Sequence, residues 1–432
     1  MSHAAASAEW LASGLSPMAA SLRGSSILLI AARVRELVAG GREVCNLTIG
    51  DFNPKAYPVP TELRVGTKDA LDAGHTNYPP ANGIPALRNA VAGMYGRRLG
   101  INVDSANVSV ASGARPLLYA AYNALIGPGD KVVYASPSWN NNHYTQIVAA
   151  NAVRLPVGPE DNFFPKPEAF EPHLRDARIF FLNSPLNPSG TMIRREVLTE
   201  LCDAIVRENQ RRQAAGEKPL FLLYDQIYWM LRLGDVEHVD PIGVDPRMAD
   251  YSIYVDGISK AFAATGMRVG WGISPAPIAA AMNRLLGHVG AWAPHPEQHA
   301  TAALLDDDAA CDRYLRWIRQ EARDRLQIIF DHVTAMADRG LPVRALAPEG
   351  AIYLSVQIDV RGWKHGDKTL ETTAEIGNFL LDEAGVAVVP FDAFGATHAQ
   401  AWFRLSVGAV EREDLSRALD RIEAALGRLQ RT

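Results

Sequence analysis

Lys260, with Ser259 beside it and Arg268 eight residues on, is the set of residues in this chain most suited to chemistry. The lysine lies in YSIYVDGISKAFAATGMRVGW (251–271), in a loop between two apolar, β-branched and aromatic segments that read as buried strands. A lysine is rarely buried without a partner, so Lys260 is either an exposed loop lysine or the amine of a built site. Ser259 and Arg268 favour the second, because they suit a phosphate held beside an amine able to form a Schiff base. Asp225 closes the apolar run 220–224, with Tyr228 three residues later. A carboxylate at the end of a buried strand is costly unless a cation pairs with it, and a protonated pyridine nitrogen is such a cation.

Other groups fall at the ends of strand-like runs. After 108–111 come Ser112, Gly113, Ala114 and Arg115, then a helix opened by Pro116. A glycine turn into a helix start presents free N–H groups and a positive dipole end to an anion. The sequence has no Gly-Lys pair and so no nucleotide P-loop. Trp139, in a polar loop after the strand 131–134, either fills core or lies flat on an aromatic ligand. Asn187 begins the turn Asn-Pro-Ser-Gly after the strand 178–183, and Gly50 begins a turn after the strand 44–49. Tyr78 sits in the proline-rich loop NYPPANGIPALR, where packing is the plainer reading. Arg404, on the strand WFRLS, is either paired structurally or a planar fork for a carboxylate. His295 and His299 have metal-ligand spacing, but Pro294 and Pro296 argue against a regular helix, and no metal is expected.

The elements that must position these groups alternate. Between residues 50 and 300, nearly continuous apolar strands alternate with helices, the pattern of an α/β fold with a mostly parallel sheet flanked by helices. Sites in such folds gather at the carboxyl ends of the strands. A long amphipathic helix over 313–339 leads into an α+β segment, with strands at 352–356, 386–389 and 402–406 and helices at 375–384 and 411–426. Expected divisions are 1–49 (a loose arm to about Ser16 and a helix over 26–39, joined to the small domain), 50–305 (the large domain) and 306–432 (the small domain).

Composition narrows the classes. Apolar residues make up 48% and charged residues 21% of 432, which fits a soluble globular protein. With a net charge of −5 and arginine pairs scattered among acids, no nucleic-acid partner is expected. The apolar run near 27–32 is too short to span a membrane, and the alanine-rich start has no basic region followed by an apolar core, so neither membrane nor export signal is expected. Three distant cysteines, Cys45, Cys202 and Cys311, suggest neither a disulfide framework nor a zinc site and fit a cytoplasmic location.

Taken together, S-K-x7-R followed by GMRVGW, D-x-x-Y at Asp225 and Tyr228, NPSG at 187–190, Y-x4-G-x3-LR at Tyr78, PEGAIYLSV and WFRLSVG resemble, in order, the class I and II aminotransferases of PLP fold type I. The resemblance covers about 26–426. It implies pyridoxal 5'-phosphate (PLP) as cofactor and transfer of an amino group between an L-amino acid and a 2-oxo acid. It implies that Lys260 binds the cofactor covalently and shuttles the proton, that Asp225 holds the pyridinium proton and that Tyr228 and Asn187 contact the phenolic oxygen. Trp139 is implied to stack on the ring, with Gly113, Ala114, Arg115, Ser259 and Arg268 around the phosphate. Arg404, Gly50, Asn187 and Trp139 then face the substrate. Tyr78 is implied to reach the cofactor of a neighbouring subunit, which makes the protein a homodimer with shared sites.

Two positions depart from the family pattern. Gly257 stands where many relatives have a phosphate-binding serine, and Asn142 stands where a histidine is usual, with His143 next to it, so either of these two is the candidate to back Asp225. Side-chain recognition is expected from 18–24, Asn140 and 290–292. Because 290–300 has no arginine, a neutral or aromatic donor is favoured, unless Arg23 or Arg115 supplies the charge. A carbon–sulfur lyase or other α-proton-abstracting enzyme of the same fold would use nearly the same residues. A regulatory PLP-binding module would show an added DNA-binding domain or lost catalytic residues.

Overall fold

The structure, a computed structural model, describes residues 7–22, 24 and 26–431. Arg23 lies outside the described residues. Seven strands form the main sheet: β1 (Val108–Ala111), β2 (Lys131–Ser136), β3 (Asn151–Pro156), β4 (Ala177–Asn183), β5 (Phe221–Asp225), β6 (Ser252–Gly257) and β7 (Gly270–Ile273). Their order is β1-β7-β6-β5-β4-β2-β3, and neighbours are parallel except that β7 runs antiparallel to both β1 and β6. The central strands read as continuous apolar runs because both faces are covered. Leu222 faces a core shared with Tyr95, Leu201 and Ile205, while its neighbour Leu223 faces another shared with Leu117, Tyr122 and Met282. Helices Pro85–Leu99 and Arg195–Ala215 therefore cover one face, and Ala114–Leu125 and Ala276–Val289 the other.

The 31-residue helix Asp308–Asp338 leads to a second, antiparallel sheet of β8 (Val343–Ala345), β9 (Tyr353–Ile358), β10 (Val389–Pro390) and β11 (Trp402–Ser406), in the order β10-β11-β9-β8. Its register sets Arg404 opposite Ser355 on one side and Val389 on the other. The early segment Cys45–Asn46 pairs with Val386–Ala387, and Val34 of helix Ser26–Ala39 packs against Leu381 and Ala387.

Several expectations need correction. Lys260 is in no open loop: it sits in a one-turn helix, Ile258–Ala261, that turns the chain from β6 toward β7. The strand expected over 44–49 shrinks to Cys45–Asn46, and that over 386–389 splits into Val386–Ala387 and Val389–Pro390. Cys45–Asn46 pairs only with Val386–Ala387, and Val389–Pro390 only with Arg404 and Phe403, so each ladder is two residues long. Pro294 and Pro296 do not prevent a helix at His295–Asp306. Pro294 is its N-cap and Pro296 falls in its first turn, where the missing N–H has no acceptor to lose. The edge strand β3 has no continuous apolar run to mark it in the sequence, since four of its six residues are exposed and Asn151 and Arg154 interrupt the apolar ones.

Candidate active site

A cavity of about 780 Å³ opens at the carboxyl edge of the main sheet. Its walls include Gly50, Ala114, Arg115, Trp139, Asn187, Asp225, Tyr228, Ser259, Lys260, Arg268 and Arg404, nearly all of the residues singled out from sequence. Arg268 comes before β7 rather than after a strand, and reaches the same edge because β7 runs backwards.

One end of the cavity is built for an anion. Gly113, at φ 95°, caps helix Ala114–Leu125, so the helix's free N–H groups point outward there. A Cβ at Gly113 would strike the Arg268 guanidinium, which lies directly against the turn. That guanidinium donates to the carbonyls of Thr265 (2.8 Å) and Ser112 (2.6 Å), and Ser259 is buried nearby. Gly257 has a steric reason: a Cβ there would lie 2.7 Å from the Val269 carbonyl oxygen and 2.8 Å from the Gly270 Cα. Backbone cannot yield as a flexible side chain can, so no serine fits without moving β7.

The middle holds an uncompensated acid. Asp225, 5% exposed, accepts from the Ile227 N–H at 3.1 Å and has no ion-pair partner among the described residues. Burial pushes its carboxyl up to about 7, against the weaker pull of Lys260. Lys260 Nζ donates to the Gly50 carbonyl at 2.6 Å and stands 5.8 Å from the Tyr228 ring centre. The Tyr228 hydroxyl shares a 2.6 Å hydrogen bond with that of Tyr353, and burial raises its pKa well above the ordinary range. Neither Asn142 nor His143 bonds to Asp225; they touch each other at 3.5 Å, while the buried Asn141 binds Tyr122 and Ser138.

The other end holds an uncompensated base. Arg404, 2% exposed, donates to Asn187 Oδ1 (3.0 Å) and the Thr48 carbonyl (2.6 Å). Its guanidinium lies between the rings of Tyr353 (4.6 Å) and Phe394 (5.0 Å), and its Nε has no partner among the described residues. No acid pairs with it there, and burial lowers its pKa. Asn187 in turn donates its backbone N–H to Asn183 Oδ1 at 2.8 Å, and Asn183 Nδ2 donates to the Asp225 carbonyl at 2.8 Å. A chain of hydrogen bonds thus spans the floor from Arg404 to Asp225.

Tyr353 lines the cavity too, although the sequence alone does not single it out. It touches Tyr228 and Arg404, and its hydroxyl would lie 2.7 Å from a Cβ at Gly50, so a larger residue there would displace it. The signal was present in PEGAIYLSV. Tyr78 is not brought in: it is 81% exposed, edge-on to Trp292 at 4.9 Å and outside the cavity of its own chain. Of the expected side-chain contacts Asn140 lines the cavity, while 18–22 and 290–292 do not. Arg115 lies 4.7 Å over the Trp139 ring with no acidic partner among the described residues.

Residues 42–422 match the family model for aminotransferase class I and II. The aspartate/prephenate aminotransferase of Cereibacter sphaeroides is 29% identical over 95% of this chain and 98% of its own length. The aspartate aminotransferase of Geobacillus stearothermophilus is 28% identical over 96% and 98%. Among solved structures, the aspartate aminotransferase from Rhizobium meliloti superimposes with a TM-score of 0.88 at 26% identity, over 96% of this chain and 99% of that one. The Thermus thermophilus aspartate aminotransferase with maleate gives a TM-score of 0.84 at 27% identity, over 95% and 99%.

Proposed function

This chain belongs to the class I and II aminotransferase family, enzymes that use PLP to move an amino group from an amino acid to a 2-oxo acid, and we propose that the cavity around Lys260 is where it does so. One observation carries the reading. Two buried groups of opposite charge, Asp225 and Arg404, share the cavity with Lys260, and neither has an ion-pair partner among the described residues. A pyridinium N–H is the cation that Asp225 lacks, and a substrate carboxylate is the anion that Arg404 lacks. The donor set at the anion end, with the helix start at Gly113 and Ala114, Ser259 and Arg268, suits a phosphate.

We assign the remaining roles on the same basis. Asn187 and Tyr228 hold the cofactor's phenolic oxygen, and Trp139 covers its ring. Bound PLP supplies the carbonyl with which amines condense and a cationic ring that accepts electrons as the substrate Cα loses its proton. Asp225 keeps the ring nitrogen protonated. Lys260 would hold the cofactor through Nζ, and as a free amine Nζ would carry the proton between the substrate Cα and the cofactor's C4'. Arg404 fixes the α-carboxylate so that the Cα–H bond faces that amine. A panel of amino acids added to the PLP-loaded enzyme tests the reading by visible absorption. Conversion to the amine form, with release of the matching 2-oxo acid, is expected; no conversion with any donor overturns it.

For the donor's side chain, the arginine-free 290–300 segment favours a neutral or aromatic group. Arg115 supports a second reading. It lines the cavity without an acidic partner among the described residues, and the relatives are named for aspartate and prephenate. A donor carboxylate held by Arg115 would join those facts, and the same panel separates aspartate from phenylalanine. The outward Tyr78 and the apolar surface of the N-terminal arm, with Trp10 69% and Leu11 60% exposed, support a homodimer in which each Tyr78 serves the other chain's site. The three cysteines are buried and free, which supports a cytoplasmic enzyme. Among the described residues no helix is long and apolar enough to cross a membrane.

A further inference from the structure

Outside the cavity, the fold gathers three imidazoles that transamination does not use. His295 and His299 stand one turn apart on helix His295–Asp306, with their Nε2 atoms 3.3 Å apart. His75 comes from elsewhere in the chain, just beyond helix Thr61–Asp72, where its N–H is bonded to the Ala70 carbonyl at 3.0 Å. Its ring stacks on that of His299, with centroids 3.8 Å apart and planes 23° apart, and lies 5.2 Å from that of His295, so His75 must turn about its side-chain bonds for its in-plane lone pair to meet a metal shared with His299. One ligand atom from each of the three lies within 4.8 Å of the others, and all three rings are half-buried.

We propose that His75, His295 and His299 form a binding site for a divalent transition metal of the zinc class, and that the metal pins the loop carrying Tyr78 to the start of helix His295–Asp306. Four observations converge on it. Two nitrogens bound to one tetrahedral zinc at about 2.0–2.1 Å are about 3.3 Å apart, the spacing already held by His295 and His299. The second ring nitrogen of His295, Nδ1, lies 3.2 Å from the Asn77 carbonyl, the outer hydrogen bond that leaves Nε2 free as a ligand. An all-imidazole set selects zinc, copper, nickel or cobalt over magnesium or calcium, which prefer oxygen. Finally, Asn77 precedes Tyr78, whose ring rests on Trp292, so metal and ring contact would clamp the same loop to the same helix start.

The test uses untagged, PLP-loaded enzyme, stripped of metal by chelation and desalted. Calorimetric titration with Zn²⁺ is expected to give one ion per chain. His75→Ala, His295→Ala and His299→Ala should each weaken binding by at least about tenfold, while His173→Ala, outside the cluster, should not. Retained absorption of bound PLP shows that each variant is folded. Zn²⁺ should also slow amide exchange over 74–82 in the wild type but not in His299→Ala. Failure of the wild type to bind Zn²⁺, or undiminished binding when any one of the three histidines is removed, overturns the proposal. Neither outcome bears on the assignment of the cavity around Lys260, which none of the three histidines lines.

Discussion

Asp225 is the residue whose state depends most on what fills the cavity. Its carboxyl is pushed up to about 7 by burial, so between pH 4 and pH 7 the folded, cofactor-free chain keeps a proton that the unfolded chain releases. Rising pH across that window therefore favours unfolding. At about 1.4 kcal/mol for each unit of displacement, the loss from this group is at most about 4 kcal/mol. Asp225→Asn removes the titration, so the cofactor-free variant should lose clearly less stability between pH 5 and pH 8 than the wild type. Denaturant melts at the two pH values check this, and equal losses would contradict it. Arg404→Lys keeps a charge but loses the planar fork that reaches Asn187 and Thr48. It should lower kcat/KM by about ten- to a hundredfold, mostly through KM, with PLP binding intact. Unchanged KM for every donor would remove Arg404 from the substrate.

Elements, rather than residues, decide how closely those groups meet. Gly257 ends β6 against the backbone of β7, so Gly257→Ser must push one strand from the other. A cost of about 1–3 kcal/mol is expected, read as a lowered thermal midpoint with no gain in phosphate affinity. Stability equal to wild type would show that the strands move apart freely. This packing could not be read from the sequence, where Gly257 was only a missing serine. What can be read is local: the apolar runs of β2, β4 and β5, and the strand-end positions of Trp139, Asn187 and Asp225 that follow from them. Tyr353 and His75 were hidden because tertiary packing alone brings them to their partners, 125 residues away at Tyr228 and more than 200 away at His295. In the sequence Pro294 and Pro296 argue against a helix at His295, although first-turn positions tolerate proline.

At the scale of the whole molecule, the site is incomplete in one chain if Tyr78 acts on a neighbour. A mixed dimer of Lys260→Ala and Tyr78→Ala chains has one doubly damaged site and one with both native residues. Co-refolding the two impaired variants should restore activity that neither has alone, up to about a quarter of the wild-type rate per site, since half of random dimers are mixed. No recovery despite demonstrated heterodimers would confine Tyr78 to its own chain or to packing. The outcomes for activity presuppose that Lys260, against Gly50 and beneath Tyr228, is where the cofactor is held. Borohydride reduction of the PLP-loaded enzyme, followed by peptide mapping, tests that most directly. The reduced cofactor should be found on Lys260 and on no other lysine; its recovery on Lys131 or Lys218 instead would contradict the assigned site.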